Sequence, residues 1–168
     1  MIYLKSYCYS GHELPFIIAN LEEGYEYIDK YYLYEYNYTH CGRVKDYEIL
    51  KLLDAIPEYL CDKLCYKAIN FTEYMEDAYN NESLIHNMVE PIQRSWFFND
   101  NDVELENSDI IIDIDCDEII YRDAYKGLLL ELDRKMRPLS IKLNQFFYRQ
   151  NYLWTNCNFS SPSIYKYI

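Results

Sequence analysis

Residues 2–37 limit the fold more than any other segment. "IYLKSYCY" (2–9) is a β-branched and aromatic run stopped by Ser10-Gly11. "ELPFIIANLEEGY" then places Leu14, Ile17, Ile18 and Leu21 at helical spacing, with Gly24 where a glycine follows a helix end. "YIDKYYLYEYN" (27–37) is a second aromatic-rich strand. Two strands joined by one helix of that length predict a parallel crossover. A chain that opens this way needs a sheet with helices packed on its faces.

The alternation continues. "YEILKLLDAI" spaces Ile49, Leu50, Leu52 and Leu53 for one buried helical face, which Pro57 ends. "DKLCYKAINF" (62–71) predicts a third strand, and residues 82–98 a helix carrying "EPIQRSWFF", with Pro91 as a kink or a late start. "SDIIIDID" is a fourth strand, "DEIIYRDAYKGLLLELDRK" is mostly helical, and "RPLSIKLNQFFYRQNYLWTNCNF" reads as a β-hairpin or two longer strands. The expectation is a single α/β domain over residues 1–168: a Rossmann-like, open, mostly parallel sheet flanked by helices, with a C-terminal β-hairpin or mixed-sheet extension.

Composition narrows the partners. With 28 acidic and 16 basic residues the net charge is −12, so polyanions and acidic membranes bind poorly unless a cation intervenes. Nucleic acid is therefore not an expected partner. The N-terminus lacks the pattern of a signal peptide and no window approaches a transmembrane segment, so the expectation is a soluble, cytoplasmic protein. The six cysteines show no CxxC spacing and read as reduced thiols; Cys61 and Cys65 lack further ligands at zinc-site spacing. The 21 tyrosines and the sequons at Asn37, Asn70, Asn81 and Asn158 follow an Ile-, Asn- and Tyr-rich composition and receive no functional weight.

The chemistry concentrates in "DIIIDIDCDEIIY" (109–121), where Asp113, Asp115, Asp117 and Glu118 follow a β-branched run. Alternation puts Ile110, Ile112 and Ile114 on one face and Ile111, Asp113 and Asp115 on the other. Carboxylates this close cannot all ionise cheaply, and a divalent cation removes the penalty; hard oxygen ligands select Mg²⁺ or Mn²⁺ together with phosphate oxygens. The alternative is an acidic helix start, with Asp117 and Glu118 favouring the positive end of the following helix. A dehalogenase-type phosphatase would place Thr or Val where Asp117 stands. An apolar strand ending in Asp-x-Asp is also the metal and nucleotide-sugar signature of GT-A glycosyltransferases.

"ELPFIIANL", "YEYNYTHCGR", "EPIQRSWFF" and "DIIIDIDCDEIIY", in this order, resemble glycosyltransferase family 17, typified by the β-1,4-mannosyl-glycoprotein N-acetylglucosaminyltransferases. The resemblance spans roughly residues 2–160 and implies a GT-A-like fold. It further implies transfer of a sugar, with N-acetylglucosamine as a candidate, from a UDP-sugar donor to a glycan acceptor. Asp115, Asp117 and Glu118 match the family's Asp-x-Asp-Glu and would bind Mn²⁺ or Mg²⁺, with Asp117 as direct ligand and Asp115 nearer the ribose or a water on the metal. Glu35, Asn37 and Thr39 match the end of the second strand and would line the nucleotide-sugar pocket. Glu90, Gln93 and Arg94 match the family's E-x-x-Q-R helix, where Arg94 would neutralise the diphosphate or pair with Glu90 one turn away. Glu13 matches an Asn-Glu position in which His12 replaces Asn. Asp113 has no counterpart, and the expectation is that it pairs with a basic residue or is hydrogen-bonded.

The resemblance does not supply the general base that an inverting transfer would need. Family members typically continue beyond the position of "WTNCNFSSPSIYKYI" into a region with acceptor contacts and a late His-containing motif, whereas His12, His40 and His86 all lie early here. The expectation is therefore a shortened member, one completed by an oligomer or second chain, or a catalytically reduced nucleotide-sugar or glycan-binding remnant.

Overall fold

In the computed structural model, which describes residues 1–39, 42–79, 85–141 and 162–168, the opening crossover forms as the sequence predicts. β1 (Ile2–Cys8) and β2 (Lys30–Tyr36) are parallel, with Tyr3 opposite Lys30 and Cys8 opposite Glu35. α1 (Leu14–Gly24) joins them and buries Ile17, Asn20, Leu21 and Gly24. Gly24 departs from the expected role. It is the last helical residue, and Tyr25 beyond it keeps right-handed angles. What this position requires is space, because a Cβ on Gly24 would lie 3.0 Å from the Tyr125 hydroxyl oxygen.

β3 (Leu64–Ile69) pairs parallel with β2, while β4 (Ile110–Asp113) pairs parallel with β1 on its opposite side. β5 (Leu139–Ser140) and β6 (Ser163–Lys166) finish that edge in antiparallel fashion, giving the order β3-β2-β1-β4-β6-β5. The direction of strand addition reverses between β1 and β4. This is a topological switch point, and open α/β sheets bind ligands in the crevice outside the strand carboxyl ends at such a point. Residues 142–161, which hold most of the expected hairpin, lie outside the described residues.

Alternation along the strands splits the side chains into two cores. On one face Leu4, Ile112 and Ile114 pack with Ile17 and Leu21 of α1 and, from the helix Arg122–Lys135, Tyr125 and Leu132. On the other, Tyr3, Tyr7, Tyr32, Tyr34, Tyr36 and Ile111 pack with Phe71, Phe97, Met75 of α2 (Thr72–Tyr79) and Val89 of α3 (Ile85–Ser95). The helix Arg122–Lys135 is α4. These tyrosines are thus structural. Rings meet edge-on, as Tyr36 does Phe71 at 5.4 Å and 76°, or stack, as Tyr32 does on Tyr34 at 6.4 Å and 16°, and hydroxyls find acceptors, as Tyr34 does Asp100 at 2.9 Å.

Several elements differ from the reading of the sequence. "YEILKLLDAI" forms a 3₁₀ helix, Leu50–Ala55, and of its four spaced residues only Ile49 is fully buried; Leu50 is 48 % exposed. The Glu35 carboxylate gathers the amides of residues 48–50 there, and a three-residue repeat cannot hold a 3.6-residue stripe on one face. α3 continues through Pro91 to Ser95 and passes into a 3₁₀ turn, Trp96–Asn99, while residues 82–84 lie outside the described set. β4 stops at Asp113, and the helix expected from Asp117 begins only at Arg122.

Candidate active site

Beyond β4, residues 115–118 fold into a tight turn. The Glu118 amide donates to the Asp115 carbonyl at 2.9 Å, and the Glu118 carboxylate accepts from the Asp115 amide at 2.8 Å. Cys116 is buried and its carbonyl accepts from the buried Asn20 side chain of α1 at 3.0 Å. Buried Cys116 and Glu118 anchor the turn, and Asp117 between them is exposed. Because α4 starts at Arg122 and carries Asp123 in its first turn, Asp117 and Glu118 are not its N-terminal acids.

Asp115 is held from two directions. Its Oδ1 accepts from the Tyr7 hydroxyl at 2.9 Å and from Arg94 Nη2 at 2.8 Å. Arg94 also reaches Glu90 with Nε at 3.0 Å, and its guanidinium lies over the Tyr7 ring, 4.6 Å from the centroid. Tyr7 comes from the end of β1, Asp115 from just beyond β4 and Arg94 from the last turn of α3, so the three meet at the switch point. Burial, and then the charge of Asp115, push the Tyr7 hydroxyl far above its ordinary pKa, so it acts as a fixed donor.

Beneath this cluster Lys5, almost fully buried, faces Asp113 across the β1–β4 register at 2.8 Å and donates to the Arg94 carbonyl at 3.0 Å. The expected basic partner of Asp113 is therefore Lys5. Gln93 is buried, accepting from the Tyr9 hydroxyl at 2.7 Å and donating to the Tyr38 carbonyl at 3.4 Å. Glu13 closes a capping box with Ser10, its carboxylate taking the amides of Tyr9 and Ser10 at 2.6 and 2.9 Å; His12 is exposed.

Glu35, Asn37 and Thr39 lie past or at the carboxyl end of β2, each engaged by the fold. Glu35 is fully buried and accepts from Lys45 (3.0 Å), Tyr66 (2.6 Å) and the amides of Glu48, Ile49 and Leu50 (2.6, 3.2 and 3.2 Å). Asn37 accepts from the Phe71 amide at 2.6 Å and donates to Asn70 and Thr72, tying β2 to the segment after β3. Thr39 accepts from the Arg43 amide at 3.1 Å in a turn where Gly42 has φ 75°. None of the three shares a hydrogen bond with Asp115 or Arg94 among the described residues.

Tyr7, Lys5 and Asn20 are site-building residues that the reading of the sequence passed over. Asn20 was visible as a polar residue on an otherwise apolar helical face, and Lys5 as the single charge inside the run 2–9. The Ser10-x-x-Glu13 spacing is itself a capping-box signature. Tyr7 carried no such mark among so many tyrosines.

Partial desolvation, and then the charge of Asp115, raise the Asp117 carboxyl above its ordinary pKa even though the residue as a whole is exposed. A divalent cation between the two would relieve that repulsion, and hard carboxylate oxygens suit Mg²⁺ or Mn²⁺. Of the three expected ligands, Asp115 and Asp117 would be the pair to hold it, since the Glu118 carboxylate is turned towards the Asp115 amide. Among the described residues no group of three or more His, Cys, Asp or Glu forms a ready cage.

A mostly parallel α/β sheet with an acidic turn at its switch point has the architecture of a GT-A-type glycosyltransferase. The model of glycosyltransferase family 17 matches residues 8–167, and the chain belongs to that family, whose function is glycosyl transfer. No curated protein matches the chain.

Proposed function

We propose that the protein transfers a sugar from a UDP-sugar, N-acetylglucosamine being the first donor to test, to a glycan acceptor, with Mn²⁺ or Mg²⁺ held by Asp115 and Asp117. The observation that carries this reading is the acidic turn fixed at the β1–β4 switch point with Arg94 against it. When bound, the cation would supply Lewis-acid neutralisation of the departing diphosphate, so that the leaving UDP needs no proton. Tyr7 orients Asp115 through one oxygen, and Glu118 and Asn20 hold the backbone of the turn. Arg94 adds a permanent positive charge beside the place the phosphates would occupy. Glu35, Asn37 and Thr39 would shape the nucleotide-sugar pocket by fixing the loops beyond β2. The cytosol is the proposed setting; Cys8, Cys61, Cys65 and Cys116 are unpaired thiols.

The test is UDP release from a panel of UDP-sugars with Mn²⁺ and mixed glycan acceptors. Wild type should release UDP, chelation should abolish release, and Asp115→Asn should lower it about a hundredfold or more. Release that persists under chelation contradicts the cation. UDP binding without release would identify a binding protein instead of an enzyme.

A further inference from the structure

Resting on the reading that Asp115 and Asp117 hold a divalent cation, we infer that Arg94 is the resident counter-cation of this site: it yields Asp115 to the metal and takes up the diphosphate in exchange. Asp115 Oδ1 is occupied by Arg94 Nη2 at 2.8 Å and by the Tyr7 hydroxyl at 2.9 Å, so the protein supplies its own positive charge to this carboxylate. Arg94 and Tyr7 both engage Oδ1, and a divalent cation brought to the same carboxylate repels the guanidinium, which weakens the Arg94–Asp115 bond. The surroundings of Arg94 specify how its head group responds.

The backbone of Arg94 is pinned. Lys5 donates to its carbonyl at 3.0 Å and the Tyr36 hydroxyl donates to the Gln93 carbonyl at 2.7 Å, while the buried Gln93 side chain is tied to Tyr9 and Tyr38. The head group is not pinned in the same way. Its side chain is 33 % exposed and lies on the flat face of Tyr7, a contact that tolerates sliding. Glu90, bonded to Nε at 3.0 Å, is a second anchor that keeps the guanidinium at the site once Asp115 is released. A freed Nη edge beside a cation-bound diphosphate is the geometry in which arginine binds phosphate best. Cation and diphosphate should then favour each other's binding reciprocally.

The exchange makes a prediction of opposite signs that a purely structural Arg94 does not. Mn²⁺ affinity is measured by electron paramagnetic resonance on wild type, Arg94→Gln and Arg94→Lys without nucleotide, and UDP is then titrated at saturating Mn²⁺. Arg94→Gln should bind Mn²⁺ alone about three- to tenfold more tightly and UDP about tenfold more weakly, with Arg94→Lys close to wild type for Mn²⁺. Arg94→Met, which keeps the stem over Tyr7, repeats the test should Arg94→Gln fold poorly. Unchanged or weakened Mn²⁺ binding in the Gln and Met variants, with wild type still binding Mn²⁺, overturns the exchange alone. No Mn²⁺ binding in any of the proteins overturns the cation reading, and the exchange with it.

Discussion

Glu35 and Asp115 look alike in the sequence, both being acids at a strand end, yet their neighbours give them different work. Burial alone would raise the Glu35 carboxyl, but hydrogen bonds from Tyr66, Lys45 and the Ile49 amide outweigh it and hold the pKa below the ordinary 4.5. A carboxylate lowered on folding stabilises the fold fully above its unfolded value and loses that contribution as pH falls through the folded one. Glu35→Gln should therefore cost about 3 kcal/mol in urea denaturation near neutrality, with the gap from wild type narrowing once the pH drops below 4.5. A gap that stays constant into acid would show that the hydrogen bonds do not depend on the charge. At this scale the sequence disclosed which residues carry charge and where, so Asp115, Asp117 and Arg94 could be singled out. It did not disclose that Glu35 receives backbone amides, because those of residues 48–50 arrive from a segment distant from β2.

Among the elements, β1 and β4 depend on one cross-strand charge pair. Lys5 and Asp113 are opposite in register, and burial is the main cause lowering the Lys5 pKa, only partly offset by Asp113. Asp113→Leu should destabilise by about 3 kcal/mol, since it leaves the buried Lys5 charge uncompensated, Lys5→Met by less because Asp113 is only half-buried, and the double variant by less than their sum. Strictly additive losses in a double-mutant cycle would show that the pair is not coupled. α4 offers the opposite case. It ends on Met136 in a left-handed conformation at φ 52°, with the side chain 78 % exposed, so Met136→Gly should raise stability by about 1 kcal/mol in thermal unfolding; a loss would refute the strain. The crossover from β1 to β2 was legible because strand and helix periods are local. The 3₁₀ helix at Leu50–Ala55 and the late start of α4 were not, because a distant carboxylate and a turn fixed by Asn20 decide them.

For the molecule as a whole, the decisive event is the pairing of β4 with β1 instead of β3, a choice between strands about a hundred residues apart that no periodicity records. It creates the switch point and brings Tyr7, Arg94 and the acidic turn to one place. A chain of net charge −12 holding a carboxylate pair there would repel an anionic nucleotide unless a cation intervened. The most direct measurement is calorimetric titration of UDP into wild type and Asp117→Ala, each with and without Mn²⁺. UDP binding to wild type should require Mn²⁺ and be lost in Asp117→Ala; equal binding without the cation, or undiminished binding in the variant, would contradict a cation held by this turn.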